Sequence, residues 1–181
     1  MIMISTNMRT NNFQYIVREA KETDAKDLSA IRVQIDGETE YLDREKGESY
    51  IDESEFKQLI RDDHNSERNL FLVVQVNTRI VGFSRCEGTT LKRLSHKVQF
   101  GVGVLRDYWG YGIGTALLKE SLLWADIHGI KKVTLSVLET NEKAIHLYKN
   151  HGFEVEGILK QDKLLSDGNY YNTVVMGRFM K

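Results

Sequence analysis

Three glycines within five positions, Gly110, Gly112 and Gly114, follow an apolar run at Val102, Gly103 and Val104. An amphipathic stretch over residues 116–128 comes next. Glycine has no Cβ, so the backbone there can approach a ligand closely and keep its N–H groups free. The positive end of a helix dipole beside those groups makes strand, turn and helix together an anion site. Phosphate or pyrophosphate suits such a turn. The spacing narrows the ligand further. A dinucleotide fingerprint, G-x-G-x-x-G, fails because the sixth position counted from Gly110 is Thr115. A P-loop fails as well, since no Gly-Lys-Ser or Gly-Lys-Thr occurs in the chain.

A second informative segment carries Asn141, Ala144, Tyr148, Gly152 and Phe153. Together with the glycine turn it makes the chain resemble the GCN5-related N-acetyltransferases (GNAT). Their acetyl-CoA site is written [QR]-x-x-G-x-[GA], followed later by N-x-x-A-x-x-x-Y-x-x-x-G-F. The five residues fill the second pattern at every position. The resemblance runs over residues 15–180, strong across 102–153 and loose in the N-terminal third. It implies an α/β (α+β) fold, with a central, mixed but mostly antiparallel twisted sheet of six to seven strands and about four helices. Two splayed strands would form the acetyl-CoA groove. It also implies an acetyl-CoA-dependent N-acetyltransferase with acetyl-CoA as cosubstrate and no metal.

Residue by residue, the resemblance gives the pantetheine arm to the backbone of Val102, Gly103 and Val104. The pyrophosphate falls to Gly110, Tyr111, Gly112, Ile113, Gly114 and Thr115. Asn141 would contact the cofactor, and Tyr148 would stand near the sulfur as general acid. Asn141 and Tyr148 are seven apart, two helical turns, which places them on one face of a helix. A phenol near pKa 10 is a reasonable proton donor to a thiolate of similar basicity. One departure stands out: Trp109 occupies the Gln or Arg position of the first pattern. Backbone amides carry the phosphate, so Trp109 is expected to pack beside the turn or over the cofactor.

Composition agrees with one enzyme domain. The chain has 181 residues, 41% of them hydrophobic, with 25 Lys and Arg against 26 Asp and Glu. A net charge of −1 gives no electrostatic footprint for nucleic acid. The single cysteine, Cys86, cannot form an intramolecular disulfide, which fits a reducing cytoplasm. No segment approaches 18 apolar residues, so no membrane span is expected. Residues 1–12 read as a flexible N-terminus and 13–181 as a single GNAT domain. Strands are predicted at 14–19, 70–76, 80–86, 96–104, 132–138, 153–165 and 171–180. Helices are predicted from the Thr23-Asp24 cap to about residue 35, then at 54–61, 116–128 and 142–150.

An alkyl ammonium near pKa 10 must lose a proton before its nitrogen can attack, so a base or a water chain has to help. His96, Glu87 and Glu139 are the candidates, and none is assigned. Cys86, within a strand, reads as small core filler, and Trp124 falls on the apolar stripe of its helix. Scattered histidines and the lack of HExxH or CxxC argue against a metal site. The acidic, aromatic stretch 36–50 is where the family builds its acceptor pocket, and Glu38, Glu40 and Tyr41 there could meet a cationic amine. Gly157, Asp167, Gly168, Asn169, Tyr170 and Met176 add similarity to a bacterial branch acting on amino acids and other small amines. Close relatives of that branch acetylate protein N-termini, ribosomal ones among them, and a non-catalytic acyl-CoA sensor is the competing class. The loops, which the motifs do not constrain, decide among these. The resemblance further implies a homodimer paired through C-terminal edge strands.

Overall fold

The computed structural model describes residues 5–10 and 13–180. Apolar residues, alternating in β2 (Phe13–Glu19), β5 (Lys97–Val104) and β6 (Lys132–Leu138) and running unbroken through residues 70–74 of β3 (Leu70–Val76), give these strands, with β4 (Arg79–Gly88) between β3 and β5. A terminal hairpin, β7 (Glu154–Leu164) and β8 (Tyr170–Phe179), follows. The helices are α1 (Ala25–Glu38), α2 (Glu53–His64), α3 (Ile113–Ile127) and α4 (Glu142–Asn150).

The N-terminal segment departs from expectation. Ser5–Thr10 is not loose but forms β1, antiparallel to β2 from Ser5↔Arg18 to Thr10↔Phe13. Residues 1–4, 11 and 12, covered by the same expectation, lie outside the described residues. The sheet therefore holds eight strands rather than six or seven, in the order β1-β2-β3-β4-β5-β6-β8-β7. An edge strand is held by backbone hydrogen bonds along one side and needs no apolar alternation, so its sequence looks like that of a polar loop.

Helices cover both faces. On one, α3 buries Leu117, Leu118, Leu122 and Trp124, and its Ser121 hydroxyl lies 3.3 Å from that of Ser84 on β4. On the other, Phe56 of α2 meets Phe71 of β3 with ring centroids 6.4 Å apart. Val133, Leu135 and Val137 of β6 are buried, as their alternation requires, and Cys86 is core. Beneath α2, the buried Asp63 carboxylate accepts two hydrogen bonds from Arg85 at 2.6 and 2.9 Å, tying the helix to β4. Among the described residues no helix is long and apolar enough to cross a membrane.

The start of α2 shows a reciprocal cap. Asp52 Oδ1 accepts from Glu55 N at 2.8 Å, and Glu55 Oε2 accepts from Asp52 N at 2.9 Å. Asp52→Ala is expected to cost about 1 kcal/mol, read as a lower urea midpoint at unchanged slope. An unchanged midpoint would mean that α2 stands on its packing alone.

A single topological feature positions the site. β5 pairs with β4 along its length, from Gly82↔Val104 to Gly88↔Val98. Likewise β6 follows its other neighbour, β8, from Lys132↔Phe179 to Leu138↔Thr173. β5 and β6 touch each other only at Lys97↔Lys132, Val98↔Val133 and Gln99↔Thr134, in parallel. Beyond Gln99 they part, and the β6-facing edge of residues 100–104 has no ladder partner. The result is a fork, open at the C-terminal ends of both strands.

Candidate active site

The open end of the fork leads into the glycine turn. Leu105 is buried and anchors the exit from β5, and a single 3-10 turn, Arg106–Tyr108, brings the chain to Trp109. Gly110 and Gly112 then adopt φ of +85° and +77°, left-handed conformations that β-carbons resist. Gly112 is the N-cap of α3 and can offer no side-chain cap, and the first turn holds no acidic residue. The first helical bond runs from Ala116 N to Gly112 O at 2.9 Å. Among the described residues, the N–H groups of Gly110, Tyr111, Gly112, Ile113, Gly114 and Thr115 donate to no partner. Six consecutive unspent donors stand at the positive end of a fifteen-residue helix, an arrangement that suits an anion, and that first turn holds no carboxylate. Ile113, only 1% exposed, pins the turn to the core.

Trp109 packs beside this turn. Its indole Nε1 donates to the Val104 carbonyl at 2.8 Å, its ring stacks near Tyr41 at 6.4 Å, and the Arg106 guanidinium lies 5.7 Å from the ring centroid. The side chain that replaces the family's Gln or Arg thus braces the end of β5. It also consumes one of the backbone acceptors expected to serve the pantetheine arm; the backbone groups of Val102 remain on the free edge, whereas those of Gly103, opposite Phe83, face β4.

Tyr148 stands at the apex of the fork. Its ring meets Phe100, the first residue beyond the last β5–β6 pair, edge-on at 6.5 Å, and Phe153 at 5.7 Å. Among the described residues its hydroxyl has no hydrogen-bond partner. Burial pushes the phenol up to about 12. That differs from the near-match to a thiolate expected for an ordinary tyrosine. The group stays protonated at every physiological pH, and its contribution is a hydrogen bond offered to negative charge developing within reach.

Asn141 stands at the start of α4, as expected. It is the N-cap of α4, not a residue of the helix face, and its Oδ1 accepts from Ala144 N at 3.3 Å. That bond explains the asparagine locally, before any ligand is considered. The base candidates separate by position. His96 is exposed at the closed end of the fork, where its carbonyl accepts from Lys131 N and Lys132 N. Glu87 sits opposite Gln99 at that same end, paired with Arg85 at 3.0 Å. Glu139 lies at the open end, but its two oxygens accept from Asn172 N and Nδ2 at 2.7 and 2.9 Å.

The acidic loop after α1 reaches both the turn and the terminal hairpin. Glu38 Oε2 accepts from Arg106 N at 2.7 Å, Glu40 Oε1 accepts from Ser166 N at 2.9 Å, and Asp43 pairs with Lys163. Between these segments lies a cavity of about 1010 Å³, walled by Tyr41, Trp109 and Arg106 on one side and Lys163, Leu164 and Ser166 on the other. Sequence reading found the loop and missed the hairpin wall, which only tertiary contact reveals. Among the described residues no group of three or more His, Cys, Asp or Glu is placed to hold a metal ion.

Comparison with known proteins supports this geometry. Residues 35–153 match the profile of the acetyltransferase (GNAT) family. The L-amino acid N-acetyltransferase AaaT of Escherichia coli K12 is 31% identical over 108 residues, 59% of this chain and 66% of that protein. Such curated relatives are matched over two thirds of their length or less. Among solved structures, a GNAT-family acetyltransferase from Streptococcus pneumoniae superposes with a TM-score of 0.88 at 26% identity, covering 92% of this chain and 99% of that one. The putative acetyltransferase yncA of Salmonella typhimurium, solved with its cofactor acetyl-CoA, shares the fold at TM-score 0.81 and 17% identity, over 92% and 94% of the two chains. The forked sheet, the donor-rich turn and the matched profile together place this chain in the GNAT family of acetyltransferases.

Proposed function

We propose that the protein transfers the acetyl group of acetyl-CoA to the primary amine of a small molecule, an amino acid or a similar compound. The observation that carries this reading is the juxtaposition of two features at one fork: six free backbone donors beyond its mouth and a protonated phenol at its apex. Bound acetyl-CoA supplies an acetyl group activated as a thioester. The turn holds the diphosphate, the bare edge of β5 holds the arm, and the Tyr148 hydroxyl donates a hydrogen bond to the sulfur as it departs as a thiolate. The amine attacks directly, its own proton leaving to water. Cys86 takes no covalent part, since it is buried and its thiol is pushed up to about 12 by burial. A pure acyl-CoA sensor would need no proton donor at the apex, so Tyr148 favours catalysis.

The cavity's charges support an amine acceptor. Among the described residues that line it, Asp36 is bound to Arg44 at 3.0 Å and Asp43 to Lys163. Glu38, Glu40, Glu45 and Asp162 remain against Lys46 and Arg106. Hydrogen bonds from Ser166 hold the Glu40 carboxyl below its usual range, so it is anionic at neutral pH. An ammonium is drawn to such walls. Thiol release from acetyl-CoA, followed colorimetrically across amino acids, polyamines, aminoglycosides and short peptides, tests the reading. Acceptor-dependent release with small amines is expected. Release with peptides alone would replace the acceptor class, and silence despite calorimetric binding of acetyl-CoA would point to a sensor.

A further inference from the structure

Glycine in the middle of a strand weakens it, because it lacks a side chain to pack and loses the most freedom on folding. Three strand glycines of this sheet have a packing reason, whereas Gly101 and Gly157 have open space where a β-carbon would stand, and of these two only Gly101 lies at the fork. A β-carbon on Gly82 would stand 3.0 Å from Gly103 O, one on Gly88 2.7 Å from Arg68 O, and one on Gly177 2.5 Å from the Glu156 carboxylate. Gly101 of β5 has none. It is exposed, its φ is ordinary, and a β-carbon there would meet nothing within 4 Å. Neither packing nor backbone conformation asks for glycine at this position.

Its location does. Gly101 is the second residue past the last β5–β6 pair, at the point where the fork opens. Side chains alternate across a strand, so Gly101 faces the way Gly103 does, toward Ile35 of α1. Phe100 and Tyr148 lie on the opposite face. Acetyl transfer needs the leaving sulfur near the proton donor and the nucleophile on the other side of the carbonyl carbon. Gly101 is on the face of β5 opposite Phe100 and Tyr148.

We propose that Gly101 determines acceptor specificity. The carbon that carries the attacking amine lies against its backbone, and the missing side chain makes room for a substituent on that carbon. The acceptor this admits is an amine on a substituted carbon, as in an α-amino acid, rather than the terminal amine of a linear chain, which needs no such room. The inference rests on the acetyl-transfer reading above.

Gly101→Ala and Gly101→Val test it, with kcat/KM measured for the best α-amino acid and for 1,5-diaminopentane, alongside the KM for acetyl-CoA and the thermal midpoint. The midpoint is expected at or above that of the unsubstituted protein, and the acetyl-CoA KM is expected to stay put. With the α-amino acid, kcat/KM should fall about tenfold for Ala and about a hundredfold for Val, the scale of one or a few methyl groups in a pocket. With the diamine it should hold. Equal losses on both acceptors, no loss on either, or a preference of the unsubstituted protein for the diamine would each overturn the proposal. Failure of the unsubstituted protein to acetylate any amine would overturn acetyl transfer itself, and this inference with it. Full activity there with unaffected variants overturns this inference alone.

Discussion

Tyr148→Phe is expected to lower turnover by about 10²–10⁴-fold, the usual worth of a positioned proton donor, while the affinity for CoA stays unchanged. The substitution is unusually clean here. Both rings fill the same space against Phe100 and Phe153, and the hydroxyl that is removed bonds to no described residue, so no structural hydrogen bond goes with it. With no hydrogen bond inside the protein lost, the thermal midpoint should hold. Burial pushes the phenol up to about 12, so it remains a donor below that pH, and ionisation of Tyr148 should not shape the rate between pH 6 and about 10. Steady-state rates with saturating acetyl-CoA, together with calorimetric CoA binding, decide the matter. Wild-type turnover in the variant would take Tyr148 out of the mechanism.

Gly112→Val should abolish detectable CoA binding. A β-branched residue at φ of +77° carries strain of about 1–3 kcal/mol, and its side chain would stand where the backbone must meet a diphosphate. Strain alone could lower the midpoint, so a matched variant separates the two effects. Gly129, between α3 and β6, has φ of +69° and open space around it. Gly129→Val should show a similar drop in midpoint with CoA affinity retained. If both variants bind CoA as the unsubstituted protein does, the turn is not the diphosphate site. If both lose it equally, global destabilisation rather than local contact explains the loss.

Some of this architecture is legible from the chain alone. β6 and α4 occupy the predicted residues, Lys132–Leu138 and Glu142–Asn150, because strict alternation defines the one and Asn141 and the left-handed Gly152 bracket the other. α3 begins at Ile113, earlier than its apolar stripe suggests, since Gly114 in the first turn disguises a helix whose start is fixed by the turn before it. Tyr148 is legible as a site residue through its spacing, but its protonation behaviour is not, because burial depends on Phe100 and Phe153 arriving from elsewhere. The fork is legible only through the family resemblance, which implies splayed strands, and not from the residues of the strands themselves. It exists because β5 and β6, separated by α3, pair over three residues and then each follow another neighbour. Glu40 and Ser166, 126 positions apart, show how far the cavity's two walls are separated along the chain.

The two tryptophans sit in opposite surroundings. Trp124 is 6% exposed, packed in the core with its ring 5.2 Å from that of His128, whereas Trp109 is 44% exposed at the lip of the donor-rich turn. Trp124 should emit at short wavelength and remain indifferent to ligands, a steady internal reference. Trp109, hydrogen-bonded to β5 and open to solvent beside the donor-rich turn, should supply the changing part of the emission. The residue that departs from the family pattern is therefore expected to give the protein a native optical readout of acetyl-CoA binding, with no label and no acceptor required.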